Sequence, residues 1–263
     1  MIRMSDEPRH KASVRKEFTE QADSYANSSL LTDSNKVKKL VEATNVSSNA
    51  RVLEVATGPG HVARGFATIS DTVVGIDLTE APLRIAEQKK RESGIKNAHF
   101  MRGDAEILPF NNNTFDAVVS RLALHHLETP ETALQEMKRV CHPDGVVAVD
   151  DIIVSEHTER GQYQNQFEQI RDPSHVRALP LSELIELLAN CGLEITNVQT
   201  DTLVQNFDDW IDTAQTPNQK AAKAREMIKR DEREDLSGTR PFYQDGELGF
   251  VQQTAIAVSR PIS

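Results

Sequence analysis

Apolar strand-like runs alternate with helical patterns through the middle of this chain, and that alternation constrains the fold more than any other feature. The runs are RVLEVA from Arg51, TVVGID from Thr72, AHFMRGD from Ala98, FDAVVSR from Phe115 and GVVAVDD from Gly145. Between them lie helix patterns with start signals. Thr79 precedes EAPLRIAEQKKR, and Thr129 with Pro130 supplies a capping residue and a first-turn proline for ETALQEMKRV. Asp144-Gly145 has turn chemistry ahead of the fifth strand. The pattern predicts an α/β fold: a doubly wound, mostly parallel, Rossmann-like sheet with helices on both faces. The strands are rich in valine and nearly continuous in apolar character, as burial on both sides requires.

The 263 residues suit one such domain with additions. Residues 1–45 read as an N-terminal helical lid, with helices around Val14 to Tyr25 and Ser34 to Glu42. Residues 46–263 read as the main domain, with an insertion at about 203–245. A helix from about Leu181 is stopped by Gly192, and EITNVQTDTLV reads as a strand. The charged stretch from Phe207 to about Asp235 reads as a helical surface insertion before the last strand. Asp245-Gly246 marks a hairpin leading into that strand.

A formal net charge of -10 argues against a nucleic-acid partner, which needs a basic face. The short basic runs at Lys36-Val37-Lys38-Lys39 and Lys89-Lys90-Arg91 read as solvated helix faces. The two cysteines, Cys141 and Cys191, show no metal spacing, and the histidines show none either, so no metal is expected. The opening MIRMSDEPRHKASVRKEF is polar, and no apolar run approaches the ~20 residues of a membrane span. A cytoplasmic chain is the expectation.

Glu54 stands inside a run that belongs in a buried strand, and a buried carboxylate is costly without a partner. After it, Gly58 and Gly60 allow close approach of a ligand to the turn, and a helix beginning near His61 offers unpaired N–H groups. A dinucleotide pattern would place Ala63 at its third glycine, but Glu54 would repel a pyrophosphate. Asp77, ending the second strand, is placed to accept from ribose hydroxyls, and Asp104 from an adenine amino group. Three acids around one site suit a cation bearing adenosine, and S-adenosylmethionine is such a cation.

LEVATGPGH, VVGIDLTEAPLRIA, RGDAEILPF, FDAVVSRLALHHL and MKRVCHPDG, taken in order, resemble the class I S-adenosylmethionine-dependent methyltransferases. The likeness is to the ubiquinone/menaquinone-biosynthesis-like group of small-molecule enzymes, and it covers Arg51 to Asp151. Ala56 stands where the family has its first glycine, which is tolerable if its φ stays negative. His142-Pro143-Asp144-Gly145 replaces the usual Lys-Pro-Gly-Gly, a change expected to affect the turn. The resemblance implies that Glu54, through water, and the turn of Ala56, Gly58 and Gly60 hold the methionine part of the cofactor. It further implies that Asp77 holds the ribose, Leu78 packs on the adenine, and Asp104 and Ala105 meet the adenine edge. Arg121 would flank the methyl donor, and FTEQADSYANSS resembles the family's lid, with Tyr25 over the cofactor. S-adenosylhomocysteine would be the product.

Methyl transfer is an in-line displacement at a sulfonium methyl, so the protein supplies proximity and exclusion of water. A base is needed when the acceptor must lose a proton. His125 and His126 follow the fourth strand, where a small-molecule acceptor would enter, and either is a candidate base. RDPSHVR adds His175 as a third catalytic candidate, with Arg171 and Arg177 placed to clamp an acidic group on the acceptor. His61 reads as a capping or surface residue. A cofactor-binding protein without transferase activity and an NAD-dependent oxidoreductase are the rival readings. The chain is compatible with a homodimer.

Overall fold

The computed structural model describes residues 9–28 and 32–262; Ser29 of the lid motif and the first eight residues of the chain lie outside them. The N-terminal segment comprises α1 (Arg9–Glu20), α2 (Ala22–Asn27) and α3 (Ser34–Thr44). There follow β1 (Arg51–Val55), α4 (His61–Ala67), β2 (Thr72–Asp77), α5 (Glu80–Glu92), β3 (Ala98–Arg102) and β4 (Phe115–Arg121). A 3-10 turn, Leu124–His126, leads to α6 (Pro130–Val140), β5 (Cys141–Val154), α7 (Thr158–Arg171), β6 (Leu179–Pro180) and α8 (Leu181–Asn190). The remainder is β7 (Leu193–Asn206), α9 (Phe207–Thr213), α10 (Asn218–Glu234), β8 (Phe242–Gln244) and β9 (Glu247–Pro261).

The sheet runs β3-β2-β1-β4-β5-β9-β7, with β6 beside β5 and β8 beside β9. Strands β1 to β5 are parallel, whereas β9 is antiparallel to β5 and β7 to β9. Strand order reverses between β1 and β4, so the crevice of an open α/β sheet lies at their carboxyl ends.

The alternation of side chains along each strand builds two cores. Leu53, Val55, Val118 and Val147 pack with Leu134 and Met137 of α6 and Leu184 and Leu188 of α8. Val52, Val73, Val119 and Ala148 pack on the opposite face with Leu40 of α3 and Phe66 of α4. The run expected to be solvated on α3 is tied down: Lys36 and Lys39 both pair with Asp201 of β7, at 2.7 and 2.5 Å.

Two local expectations change. Thr79 and Thr129 occupy N-cap positions without a side-chain cap bond, and Thr129 Oγ1 donates to Glu106 instead. The residues expected as a turn before the fifth strand are absorbed into β5, where Phe115 pairs with Cys141 but Ala117 with Val146. The extra residues between Cys141 and Val146 bulge out of register. The hairpin forms as expected, with Asp245 and Gly246 both at positive φ between Gln244 and Glu247.

The insertion is more than a charged surface. Phe207, Trp210 and Ile211 of α9 and Ala224 and Ile228 of α10 bury against Phe167 of α7 and Phe250 of β9. The Phe167 ring meets those of Trp210 and Phe250 edge-on at 6.0 and 5.9 Å. Among the described residues, no helix is long and apolar enough to cross a membrane. Phe167→Ala, at a fully buried position, is expected to cost about 3–5 kcal/mol by urea denaturation. A loss below about 1 kcal/mol would show that the insertion packs independently of the sheet.

Candidate active site

Glu54 is buried at the end of β1, and its partners come from the protein. Its Oε2 accepts from Thr57 Oγ1 at 2.5 Å and from the backbone N–H of Ala63 at 2.7 Å. The second donor is one of the N–H groups left open by the first turn of α4. Burial raises the Glu54 carboxyl to about 7, against the pull of these two bonds. The residue thus braces the loop between β1 and α4.

Within that loop Ala56 has φ +57, so the condition on which tolerance of alanine rests, a negative φ, is not met. The brace requires a left-handed residue there, and alanine in that conformation costs roughly 1–2 kcal/mol. Gly58, at φ +51, has nothing within 4 Å of the position a Cβ would take. A Cβ on Gly60 would stand 2.7 Å from the Phe100 ring, so Gly60 serves the close packing of α4 on the sheet.

Asp77 ends β2 and folds back on the same loop. Its Oδ2 accepts from Gly58 N and its Oδ1 from Thr79 N, each at 2.8 Å. Burial raises its carboxyl despite these bonds. Asp104, beyond the end of β3, is bound to α1: Lys11 Nζ lies 2.6 Å from Asp104 Oδ2 and 2.6 Å from Glu106 Oε2. Arg121 ends β4 and pairs through Nε with Asp150 Oδ2 at 3.0 Å, with both side chains buried. Burial pushes Asp150 up to about 6, with Arg121 opposing.

The 3-10 turn after β4 carries the histidines. His125 Nδ1 is 2.5 Å from Asp151 Oδ1, and Asp151 Oδ2 accepts from Leu124 N at 2.8 Å. Burial alone would lower the His125 pKa, but the charge and hydrogen bond of Asp151 outweigh it and raise the imidazole above its usual value. His126, with its ring centroid 4.1 Å from that of His125, is lowered to about 4 by burial and by its neighbour. Its Nδ1 lies 3.1 Å from the Ser174 carbonyl, and His10 bonds its backbone carbonyl.

His175 packs behind His125, with ring centroids 5.3 Å apart. Asn165 Oδ1 accepts from Ala178 N, which fixes the amide, so His175 Nε2 donates to the same oxygen at 2.7 Å. Burial holds His175 neutral, well below the usual value. It orders the loop under the dyad and does not face the cavity.

One cavity joins Tyr25, Glu54, Ala56, Gly58, Asp77, Leu78, Asp104, Ala105, Arg121, His125 and His126. Gly60 and His175 stand outside its lining. Tyr25 is hydrogen-bonded to Arg171 and raised to about 12 by burial. Arg171 donates from Nε to the Trp210 carbonyl at 2.8 Å and lies over the Trp210 ring at 4.9 Å. Arg177 forms an exposed pair with Glu183 at 2.5 Å, so the two arginines of RDPSHVR do not form a joint clamp. His61 lines the cavity too, bonded to the Ala26 carbonyl of α2 at 3.2 Å, and burial lowers it to about 4.

Lys11, Asp151, Trp210, Gln205 and Gln252 were not singled out by the sequence. Asp151 carried a usable signal, since it follows the same pattern of an acid near a strand's carboxyl end as Glu54 and Asp77. The others reach the cavity through packing between distant segments.

Comparison with known proteins places this architecture in context. Residues 53–149 match a family described as a methyltransferase domain. YcgJ of Bacillus subtilis, named an uncharacterized methyltransferase, is 29% identical over 200 residues, covering 76% of this chain and 79% of its own. YafE of Escherichia coli is 34% identical over 153 residues, 58% of this chain and 74% of its own. The crystal structure of a Bacillus halodurans protein assigned as a methyltransferase superposes with a TM-score of 0.82 at 29% identity, covering 87% of this chain and 100% of that one.

His126 gives a pH prediction with a definite sign. Its unfolded form takes a proton near 6.5, whereas the folded form takes it only near 4, so its contribution to stability is lost as pH falls across that window. Each histidine held neutral in this way steepens the fall by up to about 1.4 kcal/mol per pH unit. Glu54 and Asp150, both raised, act in the opposite sense. The test is therefore a difference: His126→Asn should flatten the fall of urea stability between pH 6.5 and 4 relative to the wild type. Parallel curves would contradict the neutral buried imidazole.

Proposed function

The chain belongs to the S-adenosylmethionine-dependent methyltransferases of class I, and on that premise we propose that the cavity binds S-adenosylmethionine between Glu54 and Asp104 and takes a small-molecule acceptor beside His125. The loop at Gly58 carries the reading. Its N–H is anchored by Asp77, and the side on which a Cβ would stand is open, so backbone and carboxylate together offer a cradle at the switch point of the sheet. When bound, the cofactor supplies a methyl group already activated on a sulfonium sulfur.

The protein's own groups then have separable roles. Asp77 keeps lone pairs beyond its backbone bonds for ribose hydroxyls. Leu78 and Ala105 offer apolar surface to the adenine. Asp104 would share its carboxylate between Lys11 and the adenine amino group. Glu54 acts through the loop it braces. Tyr25 and Phe18, with rings 5.4 Å apart, cover the cavity from the lid and exclude water.

His125 is the group suited to take a proton. With Nδ1–H given to Asp151, Nε2 is the ring nitrogen left to receive a proton from the acceptor, and Asp151 stabilises the imidazolium that results. His126 is lowered too far to serve at neutral pH. The arrangement favours an acceptor whose nucleophilic atom carries a proton, such as a phenol. His125→Asn is expected to lower kcat by roughly 10²–10⁴-fold without changing the affinity for S-adenosylhomocysteine. Equal turnover in this variant would remove the base assignment.

The cofactor is tested by calorimetric titration of S-adenosylhomocysteine and NAD into the wild type and Asp77→Ala. S-adenosylhomocysteine should bind the wild type, Asp77→Ala should weaken it by about tenfold or more, and NAD should give no heat. Binding of NAD alone would overturn the reading. Lys11→Met removes the tie between α1 and Asp104, so S-adenosylhomocysteine should leave it faster in stopped flow, and the wild-type rate should rise with salt. Identical, salt-independent rates would show that α1 does not retain the ligand.

A further inference from the structure

A chain of polar groups enters the cavity from the side opposite the adenine-facing acids. Glu168 of α7 is 2% exposed and Gln252 of β9 is 1% exposed. Gln252 Nε2 donates to Glu168 Oε1, and Gln205 Nε2 of β7 donates to Gln252 Oε1 at 2.7 Å. Gln205 and Gln252 both line the cavity. Arg171, one turn along α7 from Glu168, places a cation beside the carboxylate.

The direction of this relay follows from its inner end. Burial raises the Glu168 carboxyl, with Arg171 and the Gln252 hydrogen bond opposing; as the carboxylate it can only accept, so Gln252 turns its NH₂ toward Glu168 and its oxygen toward Gln205. Gln205 must then donate one N–H to that oxygen, and the relay leaves its own carboxamide oxygen unused. A surface glutamine could flip to suit any ligand, whereas this one is oriented through two buried residues. Burying a carboxylate and an amide has a cost that an apolar pair would avoid, and the relay returns a fixed hydrogen-bond acceptor at the cavity wall.

We propose that Gln205 is a specificity-determining residue: its oxygen, oriented by Gln252 and Glu168, accepts a hydrogen bond from a second N–H or O–H on the acceptor, distinct from the group that gives up its proton to His125. Glu168 and Gln252 are positioning residues. The acceptor class is therefore a compound with two separate hydrogen-bond donors, one at each end of the region between His125 and Gln205. A site built around an oriented acceptor rejects a ligand that offers it only another acceptor, because two lone pairs then face each other. The inference rests on the reading of this cavity as a methyl-transfer site.

The test uses the whole protein saturated with S-adenosylhomocysteine and needs no turnover. The probes are the three dihydroxybenzenes and their monomethyl ethers, which keep one hydroxyl and replace the other donor with an acceptor. Trp210, the chain's one tryptophan, lines the same cavity and reports binding by its fluorescence. In the wild type at least one diol should bind about tenfold more tightly than its ether, the worth of one directional hydrogen bond. Gln205→Leu should reduce that preference to within about twofold and leave S-adenosylhomocysteine affinity unchanged, and Gln252→Leu, which keeps the Gln205 oxygen but removes the partner that orients it, should also weaken the preference. A wild type that binds no probe, or binds diol and ether alike, overturns the inference, as does a preference that survives Gln205→Leu. A wild type that fails to bind S-adenosylhomocysteine overturns the proposed function itself, and so the two failures are distinct.

Discussion

Two carboxylates at the ends of neighbouring parallel strands, Glu54 on β1 and Asp77 on β2, hold the loop from which the site is built. Glu54 ties Thr57 and the first turn of α4 to the strand, and Asp77 ties Gly58 to the next strand. The loop is thereby fixed from below and from the side, and its remaining face is open at Gly58. The strain of Ala56 at positive φ is tolerable because these bonds over-determine the backbone around it. Functional sites are where such strain concentrates.

Electrostatics divide the cavity into two ends. Toward β2 and β3 the lining carboxylates are held by backbone N–H groups or by Lys11. Toward β5 the decisive pair is His125 with Asp151. Burial would leave all three clustered imidazoles neutral, and it does so for His126 and His175. Asp151 reverses the effect for His125 alone, so one proton-binding group emerges from a cluster of three. His175 and the loop after α7 support it, since Val176 N and Arg177 N both bond the His125 carbonyl.

Most of the sheet was legible because its strands announce themselves by period and valine content, and because acids at strand ends coincide with the crevice of such sheets. Glu54, Asp77, Asp104 and Arg121 converge for that reason. Their partners were not legible. That Glu54 answers to Ala63 and Asp104 to Lys11 depends on how a loop closes and where a helix docks. The φ of Ala56 defeated a rule about side-chain preference, because tertiary bonds outweighed local cost. The bulge in β5 and the aromatic core beneath α9 and α10 depend on long-range packing, which a charge pattern conceals. His175 and His126 share one cluster although 48 residues part Ser174 from His126, and no local pattern encodes that.

The account stands on transfer of a methyl group to a small molecule, with its proton passing to His125. The most direct test incubates the protein with S-adenosylmethionine labelled in its methyl group and a metabolite extract, then follows the label. The account predicts label in a low-molecular-weight product with the wild type, with accumulation strongly reduced in His125→Asn. Label that stays in the cofactor, in a wild type that binds S-adenosylhomocysteine, would contradict it and leave a cofactor-binding protein without transferase activity.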